Sequence, residues 1–286
     1  MAIEYNRLMA HEFADKVHRY SWRDTVLYAL GVGLGSNPLD LDELKYVYEN
    51  GLEALPTMAV VLGHPGFWVS DPDTGIDFRK VVHGEQSLII HAPLPPEGML
   101  IARNSVDEII DKGEGRGAIL RVRRDLIDQQ TGVLQSTQVM SMFCRGDGGF
   151  GGPATGKPQP EGIIPDRAPD ISVTRAIPEQ AALIYRLSAD LNPLHADPRV
   201  AQAAGFPRPI LHGLATLGVA GYAVLAGAGH RAASSLHALS CRFSAPVFPG
   251  ETLRTDMWVD RQEILFRCTV VERDKIVLDR GRASFH

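Results

Sequence analysis

An α+β fold made of two related units is predicted by an internal repeat, by the strand-rich runs that close each copy, and by a glycine- and proline-rich stretch between them. The segments HAPLPPEGMLIARNSVDEI (residues 91–109) and FSAPVFPGETLRTDMWVDRQEI (residues 243–264) share an Ala-Pro-x-x-Pro turn, a glycine–glutamate pair in either order, and then a strand. Each is followed by two more β-rich runs. These are GRGAILRVRRDLID (115–128) and GVLQSTQVMSMFC (132–144) in the first half, and ILFRCTVVER (264–273) and KIVLDRGRASFH (275–286) in the second. Both copies read as long antiparallel strands ending their unit. Residues 146–169 are rich in Gly and Pro and mark a linker. The expected division is an N-terminal unit over 1–145, the linker over 146–169, and a C-terminal unit over 170–286.

In the first unit SWRDTVLYAL reads as a helix, and a central helix is expected only over about residues 56–62, where GHPG interrupts it. In the second unit Pro178 suits a first helical position and Glu179 and Gln180 a first turn. Ala181, Leu183, Ile184 and Leu187 supply an apolar face, so a helix precedes Asp190 and ends before Pro193. Asn192 precedes a proline and is biased to extended dihedrals, which swings His195 off the helical path and back toward Asp190. A second short helix starts with Asp197 as N-cap and Pro198 as first residue and stops at Gly205. The stretch over residues 210–229 has no formally charged residue and opens with His212 and Gly213. It is long enough to span a bilayer, but Gly213, Gly218, Gly221 and Gly227 interrupt it, and a buried central helix is the better reading.

At 286 residues with 44% apolar and 22% charged residues, the chain has the composition of an ordinary soluble protein with a sizeable core. A net charge of −5 and the lack of a basic cluster interleaved with aromatics exclude a dedicated nucleic-acid binder. Cys144, Cys241 and Cys268 form no close pair and no metal spacing, so reduced thiols in a cytosolic-type compartment are expected. The N-terminus lacks the apolar run of a secretory signal and the C-terminal SFH is not a peroxisomal tripeptide; the expectation is a bacterial cytoplasm.

The chemistry concentrates in YRLSADLNPLHADPRVAQAAGFPRPILHG, residues 185–213. A carboxylate (Asp190), an amide (Asn192) and an imidazole (His195) are pressed into one turn, and Gly213 opens a helix whose first N–H groups welcome negative charge. A general base, a general acid and an N–H donor suit a reaction that adds or removes water beside a carbonyl, the donor holding the enolate-like oxygen. Positioned acid or base catalysis is worth roughly 100- to 10,000-fold, and losing one oxyanion donor costs about 3 kcal/mol of barrier lowering. Taken alone, an Asp-x4-His near a turn also reads as backbone capping, and His83, His91 and His212 read singly as structural histidines. GVGLG (31–35) lacks the spacing and the preceding strand of a dinucleotide loop, and DGGFGG (147–152) reads as a flexible connector rather than a phosphate cradle.

The strings YRLSADLNPLHADP, GFPRPILHGL and VVHGEQ, with YALGVG (28–33), DKGEG (111–115), DGGFGG (147–152) and RFSAPVFPGETL (242–253), resemble the hydratase 2 enzymes. These are the MaoC-like (R)-specific enoyl-CoA hydratases, here in the two-repeat form found in peroxisomal multifunctional enzyme type 2. The likeness covers nearly the whole chain; Ala189 stands where the family pattern usually has glycine. The resemblance implies a double hotdog fold and reversible hydration of trans-2-enoyl-CoA to (3R)-3-hydroxyacyl-CoA. Asp190 and His195 would hold the water, with the Gly213 N–H on the thioester oxygen. It further implies acyl-CoA contacts from His83, Gly84, Lys112, Asn192 and Phe243, and a supporting ion pair between Glu49 and Arg186. Lys112 reads equally as a solvated turn lysine. No metal and no redox cofactor is expected, coenzyme A being part of the substrate, and a homodimer is expected. One active site per chain follows, since only the second copy carries Asp-x4-His. Two other functions share these features: a 3-hydroxyacyl-ACP dehydratase of lipid synthesis, and a non-catalytic acyl-CoA binding module, against which the retention of Asp190, Asn192, His195 and Gly213 argues.

Overall fold

A computed structural model describes residues 3–159, 162–188, 190–229, 232–261 and 263–286. The first half runs through helix α1 (Tyr5–Met9), strand β1 (Lys16–Tyr20), helices α2 (Trp22–Gly31) and α3 (Leu41–Val47), a short 3-10 helix (Pro56–Val60), and strands β2 (Val81–Ile90), β3 (Gly98–Asp111), β4 (Ala118–Asp128) and β5 (Leu134–Cys144). The second runs through β6 (Ile171–Ala176), α4 (Ala181–Tyr185), a 3-10 turn (Pro193–His195), α5 (Pro198–Ala203), α6 (Gly213–Gly227), β7 (Leu236–Phe243), β8 (Thr252–Asp260), β9 (Glu263–Val270) and β10 (Lys275–Phe285). Among the described residues, one antiparallel sheet holds the ten strands in the order β1-β3-β4-β5-β2-β7-β10-β9-β8-β6. Outward from the β2–β7 joint, each half places its strands in the same succession, which is the repeat written in space. The joint is a ladder from Glu85 opposite Arg242 to Ile89 opposite Ala238. This is the α+β, double hotdog arrangement implied by the resemblance.

Helix α6 is the central helix of the second unit and is buried from Ala215 to Leu225 on all sides. Burial all round in a soluble fold marks a core helix, and among the described residues no helix is long and apolar enough to cross a membrane. Its glycines are close-approach points rather than breaks. A Cβ on Gly218 would stand 2.5 Å from Val32 Cγ1, and one on Gly221 2.6 Å from Thr57 Cγ2, so the helix is pressed against α2 and the first half's 3-10 helix. That shorter helix ends as GHPG predicts. The carbonyls at its end and just past it are taken by buried Arg124, which donates to Val60 O at 3.2 Å and Leu62 O at 2.9 Å.

One local expectation gains a physical cause, and another is corrected, since DGGFGG (147–152), expected as a flexible connector, is tied down. The Asp197 carboxylate accepts from Arg199 N at 2.9 Å to start α5, and Gly205 takes a left-handed φ of +85° just past its end. The DGGFGG string is anchored: Gly149 and Gly151 N–H groups donate to the Asp111 carboxylate at 2.7 and 2.8 Å. Burial raises the Asp111 pKa, but these glycine donors outweigh it and hold the carboxyl below its ordinary value. The string's anion-binding amides are thus engaged by the chain's own side chain.

The Glu49–Arg186 pair does not form. Glu49 is exposed in the turns after α3, and Arg186 instead donates to Leu191 O at 2.9 Å. The buried ion pair of this region is Glu43–Arg175, at 2.6 Å, joining α3 of the first half to β6 of the second. Glu43 also accepts from Gly35 N at 2.7 Å, and Arg175 donates to Gly33 O at 3.2 Å, so the GVGLG loop is held from both sides.

Candidate active site

The turn after α4 folds acid onto base through two successive side-chain-to-backbone bonds. Asp190 Oδ1 accepts from Asn192 N at 2.9 Å, and Asn192 Oδ1 accepts from Leu194 N at 3.0 Å. Asn192 is extended (φ −51°, ψ 123°), as its place before Pro193 requires, and Pro193 opens a single 3-10 turn ending at His195. His195 is 8% exposed. Its Nδ1 donates to Ile210 O at 2.8 Å, since a carbonyl can only accept, which leaves Nε2 with a lone pair. His212 stacks on it, ring centroids 3.6 Å apart and planes 24° apart, and donates Nε2–H to Asp190 O at 3.0 Å. Tyr185 packs against His212 at 4.9 Å.

A carboxylate oxygen of Asp190 and one ring nitrogen each of His195 and His212 lie within 4.8 Å of one another. Two hydrogen bonds of about 2.8 Å meeting at one oxygen bridge polar atoms at separations of this order. A metal ion fits less well. One nitrogen of each histidine is spent on a carbonyl, and lone pairs lying in stacked ring planes run side by side instead of converging on a tetrahedral centre.

Electrostatics favour neutral rings. Burial lowers the His195 pKa, more than the Ile210 bond and the Asp190 charge raise it. Burial, then the neighbouring His195, brings His212 down to about 4. Near neutral pH both imidazoles are therefore uncharged, and His195 presents a basic Nε2.

Gly213 is the first residue of α6, so its N–H has no acceptor within the helix. A Cβ on Gly213 would stand 3.2 Å from the Phe243 ring, which lies beside the helix start. Phe243 meets His83 edge-on at 4.7 Å, and Gly84 lies at an irregularity in the β2–β5 register between His83 and Glu85. The site is therefore assembled across the joint: Asp190, Asn192, His195, Gly213 and Phe243 from the second half, His83 and Gly84 from the first. Lys112 stands apart, exposed in the turn joining β3 to β4. It lies at the His83 end of the sheet, because Ala118 pairs with Cys144 and Cys144 with Val81. A separate surface cavity at the joint, lined by Glu85, Ser87, Ser141, Ser240, Arg242 and Arg280, includes none of the catalytic candidates.

Two residues here escaped sequence reasoning. His212 signalled only its place before Gly213. His64 of GHPG read as part of a helix stop, yet burial lowers its pKa to about 4, and the Asp190 charge acts on it.

A MaoC like domain profile matches residues 161–280 and an MFE-2 hydratase 2 N-terminal domain profile matches residues 18–146. The chain is 41% identical to 3-hydroxyacyl-thioester dehydratase Y of Mycobacterium tuberculosis, over 93% of each chain. It is 39% identical to the peroxisomal enoyl-CoA hydratase 2 of Arabidopsis thaliana, over 95% of this chain and 92% of that one. Among solved structures, a MaoC-like dehydratase from Phytophthora capsici superposes with a TM-score of 0.86 at 31% identity, covering 99% of both chains. A Mycobacterium tuberculosis protein described as a double hotdog fold, at 16% identity and a TM-score of 0.55 over 96% of this chain and 97% of that one, supports the fold alone.

Proposed function

The chain belongs to the MaoC-like family, in the two-unit form that carries a hydratase 2 N-terminal domain, and we propose that it is an (R)-specific enoyl-CoA hydratase, a hydro-lyase adding water reversibly to trans-2-enoyl-CoA to give (3R)-3-hydroxyacyl-CoA. The observation that carries this reading is the approach of the Asp190 carboxylate and the neutral His195 ring to within 4.8 Å, beside the Gly213 N–H that starts α6. Asp190 and His195 hold the water. His195 Nε2 accepts one of its protons as the oxygen attacks C3 and then gives that proton to C2, so the water ends as the C3 hydroxyl and the C2 hydrogen. The thioester oxygen, gaining negative charge, lies on the Gly213 N–H, where the helix dipole favours it. Asn192 keeps the acid–base turn closed. Phe243 and His83 wall the approach to Gly213, with Gly84 beside them. Lys112 is assigned to the CoA phosphates on charge and on its place at that end of the sheet. No metal or redox group enters these steps.

The M. tuberculosis relative's name covers 3-hydroxyacyl thioesters without naming the carrier, and the same groups run backwards as a dehydratase, so an acyl-carrier-protein substrate is the second reading. The three buried free cysteines fit a reducing compartment, for which we propose the bacterial cytoplasm. Leu183 and Leu187, four residues apart and 53% and 63% exposed, offer an apolar face for a homodimer. Crotonyl-CoA and a long-chain enoyl-CoA, each against the acyl-carrier-protein thioester, test the carrier, and chiral analysis of the product tests the stereochemistry. Turnover of the CoA esters to the (3R) alcohol is expected. An (S) product, or no hydration of either CoA ester, would overturn the reading.

A further inference from the structure

Residues 210–213, the string ILHG, touch every part of the proposed machinery. Ile210 O fixes the His195 tautomer at 2.8 Å, His212 Nε2 holds the Asp190 carbonyl at 3.0 Å, and Gly213 provides the N–H at the helix start. Leu211 N donates to Val247 O at 2.7 Å and ties the string to the turn before β8. Asp190 itself lies in an exposed loop with Leu191 and Asn192. Among the described residues, the backbone of that loop is fastened by the His212 bond to Asp190 O, the Arg186 bond to Leu191 O and the His195 N–H bond to Asn192 O. His212, by contrast, is 3% exposed and sandwiched between the His195 and Tyr185 rings.

We infer that His212 is a positioning residue for the hydration, its Nε2–H holding the Asp190 main chain so that carboxylate, imidazole and Gly213 N–H keep one fixed spacing around the water. The inference rests on the function proposed above. A capping histidine would do no more than satisfy a carbonyl. Here the satisfied carbonyl belongs to the acid itself, and the ring that satisfies it is stacked on the base. A misplacement of about 1 Å costs on the order of 100-fold in a reaction that depends on orientation.

The test compares His212→Phe, which keeps the ring and loses the donor, with His212→Gln, which loses the ring and keeps an N–H near the position of Nε2. Crotonyl-CoA is the substrate, and circular dichroism checks the fold. His212→Phe is expected to lower kcat roughly 10- to 100-fold with KM nearly unchanged, and His212→Gln to recover most of that loss. If His212→Phe does not fold, His212→Met takes its place as the donor-free variant. Native kcat in a folded donor-free variant, or equal losses in the Gln and donor-free proteins, would overturn the role. Failure of the unsubstituted protein to hydrate both crotonyl-CoA and the long-chain enoyl-CoA would instead overturn the proposed function, and the long-chain ester replaces crotonyl-CoA in this comparison where it alone is turned over, so the two failures are distinguishable.

Discussion

One titrating residue and one buried ion pair carry the sharpest local consequences. His195 must be neutral to accept a proton from water, and burial lowers its pKa beneath the ordinary histidine value of 6.5. The acid limb of kcat/KM for hydration should therefore fall below pH 6.5, with the rate holding as pH drops through that value; a midpoint at or above it would contradict the neutral-ring account. Glu43 and Arg175 make the second case. Removing one partner of a buried pair leaves an uncompensated charge, at a cost of about 3–5 kcal/mol, so Glu43→Ala should lower the denaturation midpoint sharply while Glu49→Ala leaves it unchanged. Similar loss in both would contradict the pairing seen here. Asp190, Asn192, His195 and Gly213 were readable from sequence because proline, Asx turns and a helix start are local devices whose geometry follows from neighbours in the chain. The partner of Arg175 was not. Asp40, Asp42, Glu43, Glu49 and Glu53 crowd one short segment, and only the packing of α3 against the second half selects Glu43.

Elements behave in the same way. The strand pattern and turn chemistry foretold β3–β5 and β8–β10, and the Asp-Pro start and Gly stop foretold α5, because each rests on nearby residues. The glycines of α6 were legible only as interruptions; their purpose lies in contacts with α2 and the first half's 3-10 helix, far away in sequence. Replacing Gly218 or Gly221 by alanine places a Cβ 2.5 or 2.6 Å from a neighbouring carbon. The gain in helix propensity, about 1 kcal/mol, should be exceeded by overpacking of about 1–3 kcal/mol. Urea denaturation should show both variants less stable than the native chain, and a stabilised Gly218→Ala would show that the helix approach is looser than described.

For the whole molecule, the repeat foretold the two-unit architecture, whereas the contact between the halves beside the candidate site, where β2 meets β7 and His83 meets Phe243, comes from the joint. Burial lowers the pKa of His64, His83, His195 and His212 alike, to about 4 in all but His195. Between that range and the ordinary value of 6.5 the unfolded chain binds more protons than the folded one, so stability rises with pH there. The melting temperature should fall as pH is lowered through this window; a flat profile would contradict neutral burial of these rings. The central claim is that one water, gripped by Asp190 and His195 in the second unit alone, carries all the chemistry of the chain. It is tested most directly by the kcat of folded Asp190→Asn protein on crotonyl-CoA. A loss of roughly 100- to 10,000-fold is predicted, and turnover near the native rate would contradict it.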